Sequence, residues 1–285
     1  MANIRIIQRR IRSIKNTEKI TKAMEMIATT KMRRAQERVL ASRPYTEKMF
    51  RVVAHLASEV AEAEHMHPLL ENRPVQRIAV VHIASDKGLC GGFNSNINKD
   101  SAVFLLEQTA PSVLITVGRR GSDFMRRYGR EIRADFTGIS DCPDLVDSLP
   151  ISRVVIDDYI NGIVDQVYLA YTRFVSTVVQ RPALQQLLPV EPLEEIDQGI
   201  VEYIYEPSRK IVLGELLPRF VEMQVYHALL ESVASEQSAR MMAMRNATEN
   251  AGEIIDGLTL TYNKARQEAI TKELLDITGG VEAMA

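Results

Sequence analysis

The stretch RIAVVHIASDKGLCGGFNSNI, residues Arg77–Ile97, decides how the middle of the chain is interpreted. It opens with a short apolar, β-branched run, which is typical of a buried strand, and closes with residues that favour a helix. The glycines between the two predict a tight strand-to-helix connection. Many α/β proteins bind the phosphates of a nucleotide at such a connection. The stretch therefore predicts an α/β fold and raises the question of whether this loop binds phosphate.

The loop lacks the side chains that a phosphate-binding motif requires. A P-loop places a lysine and then a serine or threonine after its last glycine, whereas Phe93 follows Gly92 here. Lys87 precedes the glycines and could contact an anion, but one lysine is weak support. A turn that glycine permits sterically is favoured over a phosphate site, and a buried structural role is favoured for Cys90. We expect no catalytic residue, no metal site and no cofactor.

Strand-like and helix-like patterns alternate between about residues 74 and 190. Further strands are predicted by the stretches SVLITVG, EIRADFTG, DQVYLAYTRF and STVVQRPALQQLLP. Helices are predicted over about residues 96–108, 121–128 and 143–160. Such alternation predicts a small doubly wound, Rossmann-like α/β domain.

A long helical pattern precedes this domain, over residues 1–60. Its apolar side chains recur three and four positions apart, beginning with Ile4, Ile7, Ile11 and Ile14. We predict that the seam then shifts its phase to Ile20, Met24 and Ile27. Pro44 is expected to kink or interrupt the helix, because proline cannot donate the helical hydrogen bond.

A second long helical pattern follows the domain, over residues 208–285, and we expect this helix to end at Gly279-Gly280. Small side chains dominate the middle of its predicted stripe, which passes through Val221, Ser232, Ser235, Asn246, Ile254 and Thr261. Because neither terminal helix can bury its stripe alone, we predict a long antiparallel coiled coil of the two, with the α/β domain inserted between them. The predicted domains are thus residues 1–60, 74–190 and 208–285.

Composition bounds the kinds of partner that the chain could have. The 285 residues carry a net charge of −2, yet residues 1–60 contain 14 Lys or Arg against 5 Asp or Glu. A basic helical arm suits nucleic acid, a membrane surface, an acidic protein partner or simply solvent. Interleaved glutamates and the lack of interleaved aromatic residues argue against nucleic acid. No apolar run approaches the roughly 20 residues that span a bilayer, and the two cysteines, Cys90 and Cys142, indicate a reducing compartment.

Three long stretches closely resemble the gamma subunit of F-type ATP synthases. They are IRSIKNTEKITKAMEMIATTKMRRAQ (Ile11–Gln36), SDKGLCGGFNSNI (Ser85–Ile97) and the segment Glu231–Gly280. The resemblance covers essentially the whole chain in the order of the family. It implies a non-catalytic rotor subunit, whose paired helices stand inside a hexamer of alpha and beta subunits. It also implies that a foot domain binds the epsilon subunit and the c ring, through which ion flow is coupled to ATP synthesis or hydrolysis.

The resemblance further implies which residues contact these partners. Contacts with the alpha and beta subunits are implied for Lys19, Lys22, Met24, Lys31, Arg33, Arg34, Arg240, Arg266, Gln267, Thr271 and Glu273. Contacts of the foot with epsilon or the c ring are implied for Lys87, Tyr205 and Glu206. The chain shows no chloroplast-type insertion and no extended leader, so we expect a bacterial protein on the cytoplasmic face of the cell membrane rather than a mitochondrial precursor. A processed mitochondrial chain stays open as an alternative.

Two other functions stay open from the residues alone. One is a nucleotide-using α/β enzyme that its helices merely dimerise, which would bind ATP as an isolated chain. The other is a coiled-coil scaffold that does not rotate.

Overall fold

The computed structural model describes residues 2–60, 67–190 and 205–282, which hold five α-helices and five strands. In chain order they are α1 (Ala2–Val60), β1 (Ile78–Ile83), α2 (Phe93–Glu107), β2 (Ser112–Val117), α3 (Arg119–Arg127), β3 (Ile132–Phe136), α4 (Leu145–Ile160), β4 (Gln166–Phe174), β5 (Gln180–Leu188) and α5 (Arg209–Glu282). Each predicted strand and helix is confirmed, with ends within a few residues of the prediction. The chain forms two compact units: unit 1 comprises residues 1–28 and 240–285, and unit 2 comprises residues 29–239.

The strands of unit 2 form one sheet in the order β3-β2-β1-β4-β5. The pairs β1–β2, β1–β4 and β2–β3 are parallel, and β5 adds an antiparallel edge to β4. All six residues of the central strand β1 are buried, because helices cover both faces of the sheet. The doubly wound prediction is confirmed, with an antiparallel hairpin at one edge.

Alternate residues of β1 enter two separate apolar cores. Ala79, Val81 and Ile83 pack in the larger core, together with residues of α1, α4 and α5. Ile78 and Val80 face the opposite side, where α2 and α3 contribute Ile97, Leu105 and Met125. This division follows from the two-residue period of a strand.

In unit 2 the helices α1 and α5 pack on each other and on the sheet. Their buried contributions to the larger core include Met49, Val53, Leu56, Leu213 and Leu217. The rings of Phe50 and Phe220 lie with their centroids 5.7 Å apart. The predicted pairing of the two terminal helices is therefore confirmed in this unit.

The seam of α1 in unit 1 differs from the prediction. The half-buried or buried positions are Ile4, Ile7, Ile11, Ile14, Glu18, Thr21, Met24, Glu25 and Ala28, and all of them except Met24 follow a continuous three-and-four spacing. The predicted phase shift is wrong, since Ile20 and Ile27 are 60% and 55% exposed. The seam simply passes through polar and small residues, which a search for large apolar side chains does not detect.

The seam of α5 in unit 1 coincides in part with the predicted stripe, which also passes through Met242, Ala247, Leu258 and Ala265, and these four residues are half-buried. From Met244 onward, its positions at three-and-four spacing are half-buried or buried: Met244, Thr248, Ala251, Ile255, Leu258, Tyr262, Ala265 and Ala269. Asn246, Ile254 and Thr261 are exposed, so the prediction was wrong at these three positions.

The ends and interruptions of the two helices also differ from the prediction. Pro44 lies inside α1 and does not interrupt it, since the helix is continuous from Ala2 to Val60. Val39 and Met49 are buried on either side of this proline, and such tertiary burial outweighs one missing hydrogen bond. The helix α5 passes through Gly279-Gly280 and ends at Glu282, because glycine permits a helix end without requiring one. The three-domain division stays a prediction, since the compact units divide both helices.

Candidate functional site

The glycine loop, residues 85–92, joins the end of β1 to the start of α2. Leu89 and Gly91 have φ values of 62° and 56°, so the chain turns through the left-handed region twice. The hydroxyl of Ser85 donates to the carbonyl of Lys87 at 2.6 Å, and the Ser85 amide donates to Asn94 Oδ1 at 3.1 Å. Cys90 is buried among these groups. The prediction of a tight turn with a buried structural cysteine is confirmed.

The carboxylate of Asp86, in the glycine loop, binds backbone amides beyond the carboxyl ends of β2 and β3. Its Oδ1 accepts the backbone amide of Arg119 at 3.0 Å, and its Oδ2 accepts the amide of Gly138 at 2.8 Å. Arg119 begins α3, and free amides at a helix N-terminus are the usual anion-binding groups. The chain fills this position with its own negative charge, so an incoming phosphate would meet repulsion. This geometry argues against the phosphate-binding interpretation.

A cavity of about 390 Å³ lies beside the glycine loop, at the carboxyl ends of β1 and β2. Its charged lining consists of three carboxylates and two cations: Asp86, Asp141, Glu236, Lys87 and Arg119. This lining has no excess of positive charge, which a site for nucleotide phosphates needs. Among the residues that the structure describes, no three His, Cys, Asp or Glu side chains come together as metal ligands.

His82 is a buried histidine whose role is structural. Its Nδ1 lies 2.9 Å from Ser101 Oγ and its Nε2 lies 2.8 Å from Asn98 Oδ1. Burial removes the charged form from water and lowers the pKa of His82 to about 4. The ring is therefore neutral near pH 7 and has no solvent access, which is unsuitable for a catalytic base.

The contact residues implied for unit 1 are mostly on its surface. Exposed members of this set are Lys19, Lys22, Arg266, Gln267, Thr271 and Glu273. Lys22 forms an exposed ion pair with Glu25 at 3.0 Å, and Met24 is half-buried. Arg240 differs from the others, because it is only 8% exposed.

The three basic contact residues implied for unit 2 fall into two groups. Arg33 and Arg34 are exposed, and Arg33 pairs with Glu37 one helical turn away at 3.3 Å. Lys31 is half-buried and forms an ion pair with Asp141 of the β3–α4 loop. The charge of Lys31 is thus paired with a carboxylate of the same chain.

The three implied foot residues are not brought together. Lys87 lines the cavity with Glu236 of α5, whereas Tyr205 lies under the guanidinium of Arg209, 6.0 Å from its ring centroid. Arg209 and Glu236 belong to the same helix, and a rise of about 1.5 Å per residue separates them by roughly 40 Å. Glu206 is exposed beside Tyr205. Lys87 and the Tyr205–Glu206 pair therefore lie on different parts of unit 2.

Sequence reasoning missed two sets of residues. The first is a set of exposed apolar side chains on the helices of unit 1: Ile6, Ile20, Ile27, Leu260, Ile270, Leu274, Leu275 and Ile277. A continuous heptad drawn from Ile4 would have left the α1 members outside the seam. The second set consists of Lys31 and Arg38, whose side chains hold the β3–α4 loop to α1. No pattern in the sequence marks their contacts.

Within the described ranges, the structure contains no helix that is both long and apolar enough to cross a membrane.

Comparison with known proteins places the whole chain in one family. A family model described as ATP synthase matches residues 3–284. The ATP synthase gamma chain of Dehalococcoides mccartyi strain 195 is 60% identical over 285 residues, which is 100% of both chains. That of Herpetosiphon aurantiacus is 47% identical over 293 aligned positions, covering 100% of this chain and 99% of the relative.

Solved structures show the same fold. The central stalk and c-ring structure of the Tetrahymena thermophila mitochondrial ATP synthase contains a chain with a TM-score of 0.61 and 27% identity, covering 80% of this chain and 99% of that one. A chain of the Euglena gracilis mitochondrial ATP synthase in rotational state 3 has a TM-score of 0.69 at 21% identity, covering 99% and 95%. The fold, the family model and the full-length relatives agree: the chain belongs to the ATP synthase gamma chain family.

Proposed function

We propose that this chain is the central-stalk rotor subunit of an F-type ATP synthase. It couples ion flow through the c ring to ATP synthesis or hydrolysis at an alpha–beta hexamer, and it does so by rotating. The observation that carries this proposal is the end-to-end relation to gamma chains, at 60% identity for the Dehalococcoides mccartyi protein. The Tetrahymena relative is part of a structure of a central stalk with its c ring.

Rotation can change a beta subunit only through contacts that differ between the states of that subunit. Unit 1 has suitable surfaces, because one seam of each helix is buried and the rest is exposed. On α1, basic Lys19 and Lys22 stand near the exposed apolar Ile20 and Ile27. Lys22 is the exposed member of its ion pair with the half-buried Glu25, so its ammonium group is accessible to an acidic segment of beta. Met24 lies beside this surface.

On α5, we assign the contacts with the hexamer to four exposed polar residues, Arg266, Gln267, Thr271 and Glu273. Exposed apolar residues alternate with them, including Ile270 and Leu274. A mixed surface of this kind suits a protein partner better than water.

In unit 2, Arg33 and Arg34 are the exposed basic residues that we assign to beta. Lys31 and Arg240 act from within the chain, since one is paired with Asp141 and the other is buried. They position neighbouring residues rather than reach a partner.

The foot contacts are assigned to two places. Tyr205 and Glu206, which directly precede α5, are proposed to contact epsilon or the c ring. Lys87 lies roughly 40 Å along α5 from them, by helical rise, and is proposed to contact a different part of the foot's partners. Through the c ring the chain would sit peripherally at the cytoplasmic face of a bacterial cell membrane. The bacterial sources of the relatives support this assignment.

The proposal is tested by ATP synthesis in membranes that contain the c ring, alpha, beta and epsilon subunits but lack a gamma chain. Adding this chain should restore ATP synthesis that stops when the ion gradient is collapsed. Synthesis at the same rate without the chain would contradict the proposal.

The assigned contacts are tested with a matched pair of charge reversals. Arg33→Glu/Arg34→Glu should lower the gradient-driven rate, because acidic segments of beta would then meet like charge. Arg127→Glu/Arg130→Glu, on α3 and the turn that follows it, changes the same charge and should leave the rate unaffected. Equal synthesis rates for the two double variants would show that Arg33 and Arg34 do not contact beta.

The enzyme alternative makes a separate prediction. Saturable binding of ATP by the isolated chain, measured by calorimetry, would favour it. We expect no such binding, because the glycine loop lacks the lysine–hydroxyl pair of a P-loop and carries the negative charge of Asp86.

A further inference from the structure

The loop that joins β3 to α4, residues 138–144, is held by polar contacts from three directions. We name it the clamp loop. At its start, the Gly138 amide donates to Asp86 of the glycine loop at 2.8 Å, and Gly138 itself has a φ of 78°. The clamp loop is thereby tied to the turn that follows β1.

Arg38 of α1 fixes the far end of the clamp loop. Its NH1 donates to the carbonyls of Cys142 at 2.9 Å and Pro143 at 2.8 Å. The same nitrogen lies 3.0 Å from the carboxylate of Asp144, the N-cap residue of α4. One guanidinium therefore satisfies two backbone carbonyls that no strand or helix pairs, which makes its loss costly.

Asp141, in the middle of the clamp loop, connects α1 with α5. Its Oδ2 pairs with Lys31, while its Oδ1 accepts from Gln237 Nε2 at 3.4 Å. Gln237 is 1% exposed, so its amide has little access to water. The hydroxyl of Tyr226, also on α5, donates to the carbonyl of Pro143 at 3.4 Å.

These contacts lie away from the apolar attachment of α1 to the sheet. That attachment is made by Met49, Val53 and Leu56 in the larger core. The helical rise places Arg38 roughly 16 Å from Met49, and Lys31 farther still. Two attachments separated along one helix resist tilting of the sheet against that helix, whereas the contacts of the clamp loop with Gln237 and Tyr226 of α5 resist rotation of the sheet about α1.

We propose that the clamp loop locks the carboxyl-end edge of the sheet to α1 and α5, so that the α/β part of unit 2 turns together with these helices. This inference rests on the proposed rotor function. Arg38 and Asp141 make the contacts that hold the clamp loop to the two helices. The Lys31–Asp141 ion pair is suited to a mutational test, because the two charges can be swapped between its residues.

The first test uses amide hydrogen exchange of the full chain in isolation. Lys31→Asp and Asp141→Lys should each accelerate exchange in residues 138–144 by roughly 5- to 30-fold, the range that a loss of one to two kcal/mol produces. The combined charge swap should restore slow exchange, because opposite charges again face each other. Arg33→Asp, which breaks only an exposed pair on α1, is the matched control. Unchanged exchange in both single variants would overturn the clamp.

The second test follows the angle of the sheet in the assembled complex. A probe is attached to Lys99→Cys on the exposed face of α2, in a Cys142→Ser background that removes the accessible native thiol. During ATP hydrolysis, the angular spread of this probe in Asp141→Lys should exceed that of the parent and narrow again in the swap. An equal spread in all variants would overturn the inference. A parent complex that hydrolyses ATP without any rotation would instead refute the rotor function, and the exchange test would still decide the clamp.

Discussion

The hydroxyl oxygens of Thr21 and Thr248 lie 2.8 Å apart, a hydrogen bond between α1 and α5 in unit 1. Each hydroxyl also lies within bonding distance of a carbonyl in its own helix: Thr21 of Glu18 at 3.0 Å, and Thr248 of Met244 at 2.9 Å. Ala28 and Ala251 are buried in the same seam. The helices of unit 1 thus meet through small and hydroxyl-bearing residues, which permit a close approach.

The threonine pair predicts a non-additive mutant cycle. Thr21→Val removes one partner and leaves the other hydroxyl in a poorly hydrated seam, so it should lower the free energy of unfolding by about 1 kcal/mol. Thr21→Val/Thr248→Val replaces both partners by apolar groups of similar shape, and its cost should fall below the sum of the single costs. Urea unfolding of the full chain measures the cycle. Strictly additive costs would show that the two hydroxyls do not interact.

His82 predicts acid lability. Its pKa in the folded chain is about 4, against an ordinary value of 6.5, so the unfolded chain binds the proton more readily between these values. The stability linked to His82 is fully present above about pH 6.5 and is lost as the pH falls towards about 4, by roughly 3 kcal/mol in all. His82→Gln should be less stable at pH 7 but should show a flatter decline over this range. Parallel pH profiles for the two chains would contradict the assignment.

Two glycine substitutions provide an internal comparison of packing. A Cβ at Gly121 would lie 2.6 Å from the ring of His82, whereas nothing lies within 4 Å of a Cβ at Gly257. Gly121→Ala should therefore displace the histidine and cost about 1–3 kcal/mol. Gly257→Ala, in the exposed part of α5, should raise stability by about 0.5–1 kcal/mol. Thermal unfolding of both variants checks the prediction, and equal shifts of either sign would contradict it.

Asp86 predicts a stability effect without a gain of nucleotide binding. Asp86→Ala leaves the amides of Arg119 and Gly138 without their acceptor and should cost about 1–3 kcal/mol. Asp86→Asn retains one acceptor oxygen and should cost less. Neither variant should bind ATP in calorimetry. The appearance of saturable binding in Asp86→Ala would reveal a phosphate site that the carboxylate blocks.

The sequence predicts the α/β part of this fold well, because its signals are local. The β-branched run Ile78–Ile83 and the glycines after it specify a strand and a turn without reference to the rest of the chain. The missing lysine–hydroxyl pair after Gly92 likewise predicts the absence of a P-loop. The structure adds contacts that the sequence does not predict, because Asp86 accepts hydrogen bonds from the amides of residues 119 and 138, which are distant in sequence.

The seams of the long helices are predicted less well. Periodicity identifies Ile4 to Ile14 correctly, but an apolar scale then prefers Ile20 and Ile27, which face solvent. A seam built from Thr21 and Ala28 follows the spacing that begins at Ile4, but a search for large apolar side chains does not detect it. The charge partners of Lys31 and Arg38 are also absent from the sequence pattern, because Asp141 and Asp144 lie more than a hundred residues away.

The central claim is that this chain rotates within its partners, and single-molecule observation tests it most directly. The hexamer is fixed to a surface through its beta subunits, and a probe is attached to Lys99→Cys on α2 in the Cys142→Ser background. With ATP present, we predict that the probe turns continuously in one direction and stops when ATP is removed. A probe that stays at a fixed angle while the same complexes hydrolyse ATP would contradict the account.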